Sequence, residues 1–130
     1  MGIRLSGRHE SRYSFGDEIA PDDANYEESR LGHPSEIGAK LYPANGWGLY
    51  DMHGNVLEWV QDDCHSNYQG APADGSAWKA VGGSADSGYR VLRGGSWDYP
   101  SRDCRSASRR KELAGMRGRC VGFRVARTLS

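Results

Sequence analysis

Hydrophobic and polar positions alternate cleanly over one short stretch of this chain, and elsewhere apolar residues are sparse. In GNVLEWVQD, the second half of residues 45 to 62, Val56, Glu58 and Val60 lie on one side and Leu57, Trp59 and Gln61 on the other. A period of two over so few residues predicts a strand, not a helix. Two later runs, YRVLRGGSW and CVGFRVARTL, also carry β-branched residues at alternate positions, and both are short. Residues 1 to 45 are rich in Gly, Pro, Asp, Asn and Ser and hold only small apolar patches such as YSFG, a texture of irregular loops with a brief strand. Residues 65 to 88, HSNYQGAPADGSAWKAVGGSADSG, form a long polar excursion between the predicted strands. The pattern predicts a compact, loop-dominated α+β fold. Nothing in it marks a linker, a repeat or a second domain, so residues 1–130 are expected to form a single domain.

Composition sharpens this picture. A domain of 130 residues buries roughly two thirds of the surface that its unfolded chain exposes. Only 37% of the residues are hydrophobic and 18 are Gly, which excludes a helix bundle with long apolar stripes. Four Trp and seven Tyr compensate in part, since each buries a large area but brings a polar atom that needs a partner. Formal net charge is zero, yet residues 1 to 89 hold 6 Lys/Arg against 14 Asp/Glu, whereas residues 90 to 130 hold 11 against 3. The arginines of this basic tail are scattered through Gly and Ser and do not line one helix face. Pairing with the acidic first half and with loop carbonyls is therefore expected, and nucleic acid is not. Cys64, Cys104 and Cys120 match neither a CxxC zinc site nor an even disulfide framework. No signal peptide precedes MGIRLSGRHESR and no apolar run reaches membrane-spanning length, so a cytoplasmic protein with no membrane partner is expected.

Four ordered segments, GLYDMHGNVLEW, RVLRGGSW, CRSASR and GFRVAR, together with the opening RYSFGDEIAPDDANY, resemble the signature series of the formylglycine-generating enzyme, or sulfatase-modifying factor, domain family. Several motifs in a fixed order at compatible spacings make the resemblance specific, and it covers nearly the whole chain. It implies a variant of the C-type lectin fold, with little regular structure, a small antiparallel sheet and calcium ions stapling loops. It also implies that the N-terminal portion usual in the family is missing, which leaves open a fragment or a reduced version.

The turn YDMHGNVLEW invites a metal reading. Calcium takes several hard oxygens at once, and a Gly-containing turn lets carbonyls converge. The resemblance implies that Asp51 donates a side-chain oxygen, Gly54 and Val56 donate carbonyls, and Glu58 supplies a carboxylate. From the residues alone, Asp51 capping a turn and Glu58 pairing with an Arg is the favoured arrangement. A second calcium site of the family would use Asn25 and the carbonyl of Tyr26, but its later carboxylate has no counterpart after NYEES. His53, a lone His in the turn, is expected to serve as a hydrogen-bonding group and not as a metal ligand.

The loop RGGSWDYPSRDC carries the enzymatic question. Formylglycine-generating enzymes hold two cysteines five positions apart after this glycine pair, and paired thiolates suit copper(I), a soft ion. Here the second position is Cys104, and the first is Tyr99. A phenol with a pKa near 10 is a poor copper(I) ligand at neutral pH. Copper is not expected, no catalytic residue is assigned, and Cys104 is expected to be a small buried hydrophobe. The related sulfoxide synthases use iron from a separate His-rich helical domain, and four scattered His residues offer no such cluster.

A non-catalytic binding module is the function expected, with an oxidase or a degenerate or partial member of that enzyme family as the alternative. Between framework residues such as Trp97, Arg105, Arg109, Arg117 and Phe123 stand Asp98, Tyr99, Ser101, Asp103, Ser108, Arg110, Gly118 and Cys120, which share no chemical theme. The variable proteins of diversity-generating retroelements resemble this chain. They keep the scaffold while adenines mutate in Asn-type codons of the C-terminal segment, and the residues at all eight positions are reachable from such a codon. The candidate face is Trp97, Asp98, Tyr99, Ser101, Asp103, Ser108, Arg110 and Arg119. Tyr, Ser, Asp and Arg on a rigid frame make adaptable contacts with an unidentified protein or small-molecule ligand. An ordinary surface loop would have the same composition. Trp97 and Phe123, apolar residues beside glycines, are expected to be buried.

Overall fold

The structure, a computed structural model, describes residues 10–79 and 88–127. The alternating stretch forms β1, Leu57–Asp63, and YRVLR forms β2, Tyr89–Arg93, antiparallel to it. Glu58 pairs with Arg93 and Trp59 with Leu92, after which the register shifts so that Asp63 faces Arg90. Four steps along β1 thus correspond to two along β2, a bulge that bends the end of β1. A third strand, β3, Arg109–Leu113, pairs antiparallel with β2 in the register Leu92 to Arg110. Finally β4, Val121–Gly122, runs parallel to the start of β1, giving the order β3-β2-β1-β4. Two 3-10 turns, Glu27–Ser29 and Ser101–Cys104, are the only helical elements among the described residues. This is the loop-rich α+β architecture that the sequence predicts.

Two details differ from the sequence reading. RRKEL carries no apolar alternation and signals no strand by itself, yet it becomes β3 because β2 offers it a free edge. Charge on an edge strand is a known way to discourage pairing with other chains. The C-terminal motif, by contrast, contributes only two paired residues. Gly122 packs on Val56, where an added Cβ would lie 3.0 Å from Cγ2. The next side chain falls on the opposite side, and Phe123 is 77% exposed, against the expectation of burial. Trp97 is only partly buried.

The apolar core is small. Tyr13, Ala24, Tyr26 and Cys104 form one cluster, with Ile19 and Tyr99 against it, and Leu57, Val91 and Leu92 are buried on the sheet. Buried polar side chains supplement it, each fully bonded. Asn25 donates from Nδ2 to His33 O at 2.9 Å and to Asn55 Oδ1 at 3.2 Å, while its own carbonyl accepts from Asn55 N at 2.7 Å. Asn55 Oδ1 also accepts from Ser35 N at 2.8 Å. Satisfied networks of this kind in a low-dielectric interior specify one loop arrangement, since breaking any member strands the others. They hold the N-terminal loops against the turn before β1. No helix among the described residues is long and apolar enough to cross a membrane.

Candidate functional site

Two loops converge beside the start of β1, the turn at residues 50–58 and the glycine loop at residues 94–104. Gly54 N donates to Gly94 O at 2.7 Å and Trp97 N donates to Asn55 O at 2.9 Å, so one loop is the template for the other. His53 lies between them, buried. Its Nε2 accepts from Ser14 N at 3.0 Å, which leaves the proton on Nδ1 to be donated to Cys104 O at 2.7 Å. Burial holds the His53 pKa below its ordinary value despite the bond to Cys104, so the ring is a neutral strut.

In the glycine loop, Cys104 is completely buried. Gly95 has φ +73°, and a Cβ there would lie 2.5 Å from Cys104 Sγ, so the glycine permits the sulfur to pack directly under the loop. Burial pushes the Cys104 thiol up to about 12, and the backbone amides of Ser96 and Gly54 near the sulfur offset only part of this. Tyr99 packs against the core cluster, while its hydroxyl accepts a hydrogen bond from Arg110 Nη1 and Arg110 lies over its ring at 5.2 Å. Burial raises the Tyr99 pKa above 10, with Arg110 opposing, so the phenol keeps its proton at neutral pH.

The candidate face divides into two parts. Tyr99, Asp103, Ser108 and Arg110 line an open cleft of about 320 Å³, floored by Leu57 and Leu92 of the sheet. Trp97, Asp98 and Arg119 form a neighbouring patch. Trp97 Nε1 donates to Arg119 O at 3.4 Å, and the Arg119 guanidinium lies 5.1 Å from the indole ring. Asp98 accepts from Ser96 Oγ at 2.5 Å and from Cys120 Sγ at 3.1 Å. Burial alone would raise the Asp98 pKa, but these bonds and the Arg119 charge outweigh it and hold the carboxyl below its ordinary value. Ser101 sits on the second 3-10 turn, outside the cleft lining.

A model of the sulfatase-modifying factor enzyme 1-like domain matches residues 2–129 of this chain. The chain belongs to that family. The formylglycine-generating enzyme of Streptomyces coelicolor is 32% identical over 136 residues, covering 94% of this chain and 41% of that enzyme. The serine/threonine-protein kinase pkn1 of Chlamydia caviae is 39% identical over 116 residues, covering 89% of this chain and 18% of the kinase. The chain thus spans from under a fifth to about two fifths of the curated relatives it matches. Among solved structures, PvdO from Pseudomonas aeruginosa superposes with a TM-score of 0.70 at 34% identity, over 91% of this chain and 41% of PvdO. Treponema denticola variable protein 1 superposes at 0.61 with 30% identity, over 78% and 34%.

Within this family member, the positions that would hold copper(I) do not fit it. One is a neutral phenol engaged by Arg110, and the other is a protonated thiol sealed beneath Gly95. The calcium set of the 50–58 turn is made of oxygen donors, the kind calcium takes, but no group of three or more His, Cys, Asp or Glu side chains placed to hold a metal ion is found among the described residues. Asp51 is half-buried with φ 56°, and its pKa is raised by burial, lowered by Arg124 and raised again by Glu58. Burial is the largest of these effects. Arg124 engages the Glu58 carboxylate, 2.9 Å from Oε1, and donates to the carbonyls of Tyr50 and Asp51 at 2.9 and 3.3 Å, so Glu58 makes the Arg pairing that the residues alone allow. At Asn25 and Tyr26 the two oxygens of the second family site both accept from Ser29 Oγ, at 3.1 and 2.7 Å. The pairing of Glu58 with Arg124, over 66 residues, was not assignable from sequence. GFRVAR gives a motif but no partner.

Proposed function

We propose that this chain is a non-catalytic ligand-binding domain on a calcium-stapled scaffold. Its recognition face is the cleft of Tyr99, Asp103, Ser108 and Arg110, extended by Trp97, Asp98, Ser101 and Arg119. The observation that carries this reading is the Tyr99–Arg110 pair standing where the family's oxidase needs a thiolate. An aromatic ring, a guanidinium, a carboxylate and hydroxyls around an apolar floor make an adaptable contact set with little entropy to lose. The structural likeness to a Treponema denticola variable protein supports a displayed face on this scaffold. The match to a Streptomyces coelicolor formylglycine-generating enzyme keeps an oxidase as the alternative.

A paired experiment separates the two. Titrated with copper(I) against a competing chelator, the chain is expected to show no tight one-to-one site, and a cysteine in a sulfatase-type peptide should keep its mass. Conversion of that cysteine to an aldehyde would overturn the proposal. Joint replacement of the half-buried Ser101 and Ser108 and the exposed Arg110 and Arg119 by Ala should cost no more than about 2 kcal/mol, about 0.5 kcal/mol for each. The same variant should lose a partner captured by the parent chain. Tyr99 is left out because it packs on the core.

Calcium gives a separate prediction. Asp51, Gly54, Val56 and Glu58 would hold the ion, a hard cation that cross-links the turn to β1. At 100 to 1,000 times the dissociation constant it should stabilise the fold by about 2 to 4 kcal/mol. Melting in calcium and in EDTA measures this, and equal midpoints would remove calcium from the scaffold.

A further inference from the structure

The two edges of the sheet differ in kind. β3 carries Arg109, Arg110, Lys111 and Glu112, a charge pattern that discourages pairing with other chains. β4 lies at the opposite edge and has no such guard. Its ladder to β1 ends at Gly122, and among the described residues no backbone hydrogen bond involves residues 123–127. Arg124 nevertheless holds this stretch in place, because its guanidinium is bound to Glu58 and to the carbonyls of Tyr50 and Asp51. On either side of that anchor, Phe123 and Val125 are left 77% and 82% exposed.

A sheet edge with free backbone groups and apolar side chains is a template for another strand. The charge around it says which strand fits. Residues 114–130 contain four Arg and no acid. Arg117, Arg119 and Arg127 are exposed, and Arg117 and Arg127 make no ion pair among the described residues. A second copy of this edge would bring the same arginines against them, and opposed like charges are destabilising. We infer that the β4 edge docks an extended strand of a partner protein in which apolar and acidic residues alternate. Backbone groups of Phe123 and Val125 form the added ladder, their side chains make the apolar contact, and the flanking arginines meet the acids. None of residues 121–127 lines the cleft of Tyr99 and Arg110, so this surface does not depend on the reading of that cleft.

Titration of the nitrogen-15-labelled chain with a blocked heptapeptide of alternating Glu and Val tests this. The amide resonances of Phe123 and Val125 should shift saturably and exchange more slowly with solvent. A heptapeptide of alternating Lys and Val should bind at least about tenfold more weakly, as like charges oppose it. Phe123→Ser removes the aromatic contact and Val125→Pro removes an edge N–H. Each should weaken binding about tenfold or more, the scale of an interface anchor. Leu113→Ser, on the far edge, should leave it unchanged. Melting of each variant separates lost binding from lost fold, and Phe123→Ser stands alone if Val125→Pro does not fold. Absence of a saturable shift, undiminished binding in folded Phe123→Ser, or equal binding of the Lys peptide would overturn the inference. So would sedimentation of the chain alone as a dimer that Phe123→Ser dissociates, since a second copy would then hold the edge.

Discussion

Replacing Gly54 by Ala is expected to abolish the folded state of this chain. A Cβ at that position would stand 2.1 Å from Asn25 O and 2.9 Å from Asn25 C, both backbone atoms. Neither strand of the contact has room to move. Asn25 pairs with Gly54 in an isolated parallel bridge, Asn55 N donates to Asn25 O at 2.7 Å, and Gly54 N is held by Gly94 O at 2.7 Å. Separating the two segments would also strand the buried Asn25 amide. The left-handed φ of +73° adds about 1 to 2 kcal/mol by itself. Together these should consume most of the roughly 5 to 15 kcal/mol that stabilises a typical domain. Gly75 supplies the control, since it has φ +79° but nothing within 4 Å of an added Cβ. Gly75→Ala should cost only the conformational part, about 1 to 2 kcal/mol. Near-ultraviolet circular dichroism and thermal melting distinguish the two. Equal losses in both variants would mean that the approach to Asn25 is not tight.

The second expected result contrasts two apolar side chains of the C-terminal half. Leu92 is 0% exposed, sits on β2 opposite Trp59, and floors the cleft. Leu92→Ala should cost about 2 to 5 kcal/mol, the range for a buried leucine whose cavity only partly collapses. Phe123 is 77% exposed, and Phe123→Ala should stay within about 0.5 kcal/mol. Denaturant titrations of the two variants, with slopes compared, measure this directly. A large loss at Phe123 would show that its ring is covered in solution, by the same chain or by another.

Much of the architecture is written locally. A period of two in NVLEWVQ and YRVLR announces β1 and β2, because successive side chains of a strand face opposite sides whatever surrounds them. Gly and Pro texture announces loops for the same local reason. The family motifs are also local strings, so family membership, the Tyr99 and Cys104 positions and the Asp51 to Glu58 turn are legible in the sequence. Burial of Cys104 and the bonded role of His53 follow from what those residue types ordinarily do. The presence of Tyr68 and Trp78, two aromatics in a polar excursion of 24 residues, is a signal that something packs there. It does not say what.

The rest depended on residues far apart in the chain. RRKEL is a strand only because β2 needed an edge partner, and pairing energy between distant segments overrides its local pattern. Phe123 is exposed because Gly122 must lie on Val56, which sends the next side chain outward. Glu58 meets Arg124 across 66 residues, and Tyr99 meets Arg110 across 11. An open recess lined by His65, Trp78, Val91 and Arg109 joins the polar excursion to β2 and β3. Sequence alone therefore determined that β1 and β2 form, which family the chain belongs to, and which of its chemical groups are missing. Only the tertiary structure decided which charges meet and which faces are open. Coulomb and hydrogen-bond contacts act over a few ångströms of space, and a separation in sequence does not specify that distance.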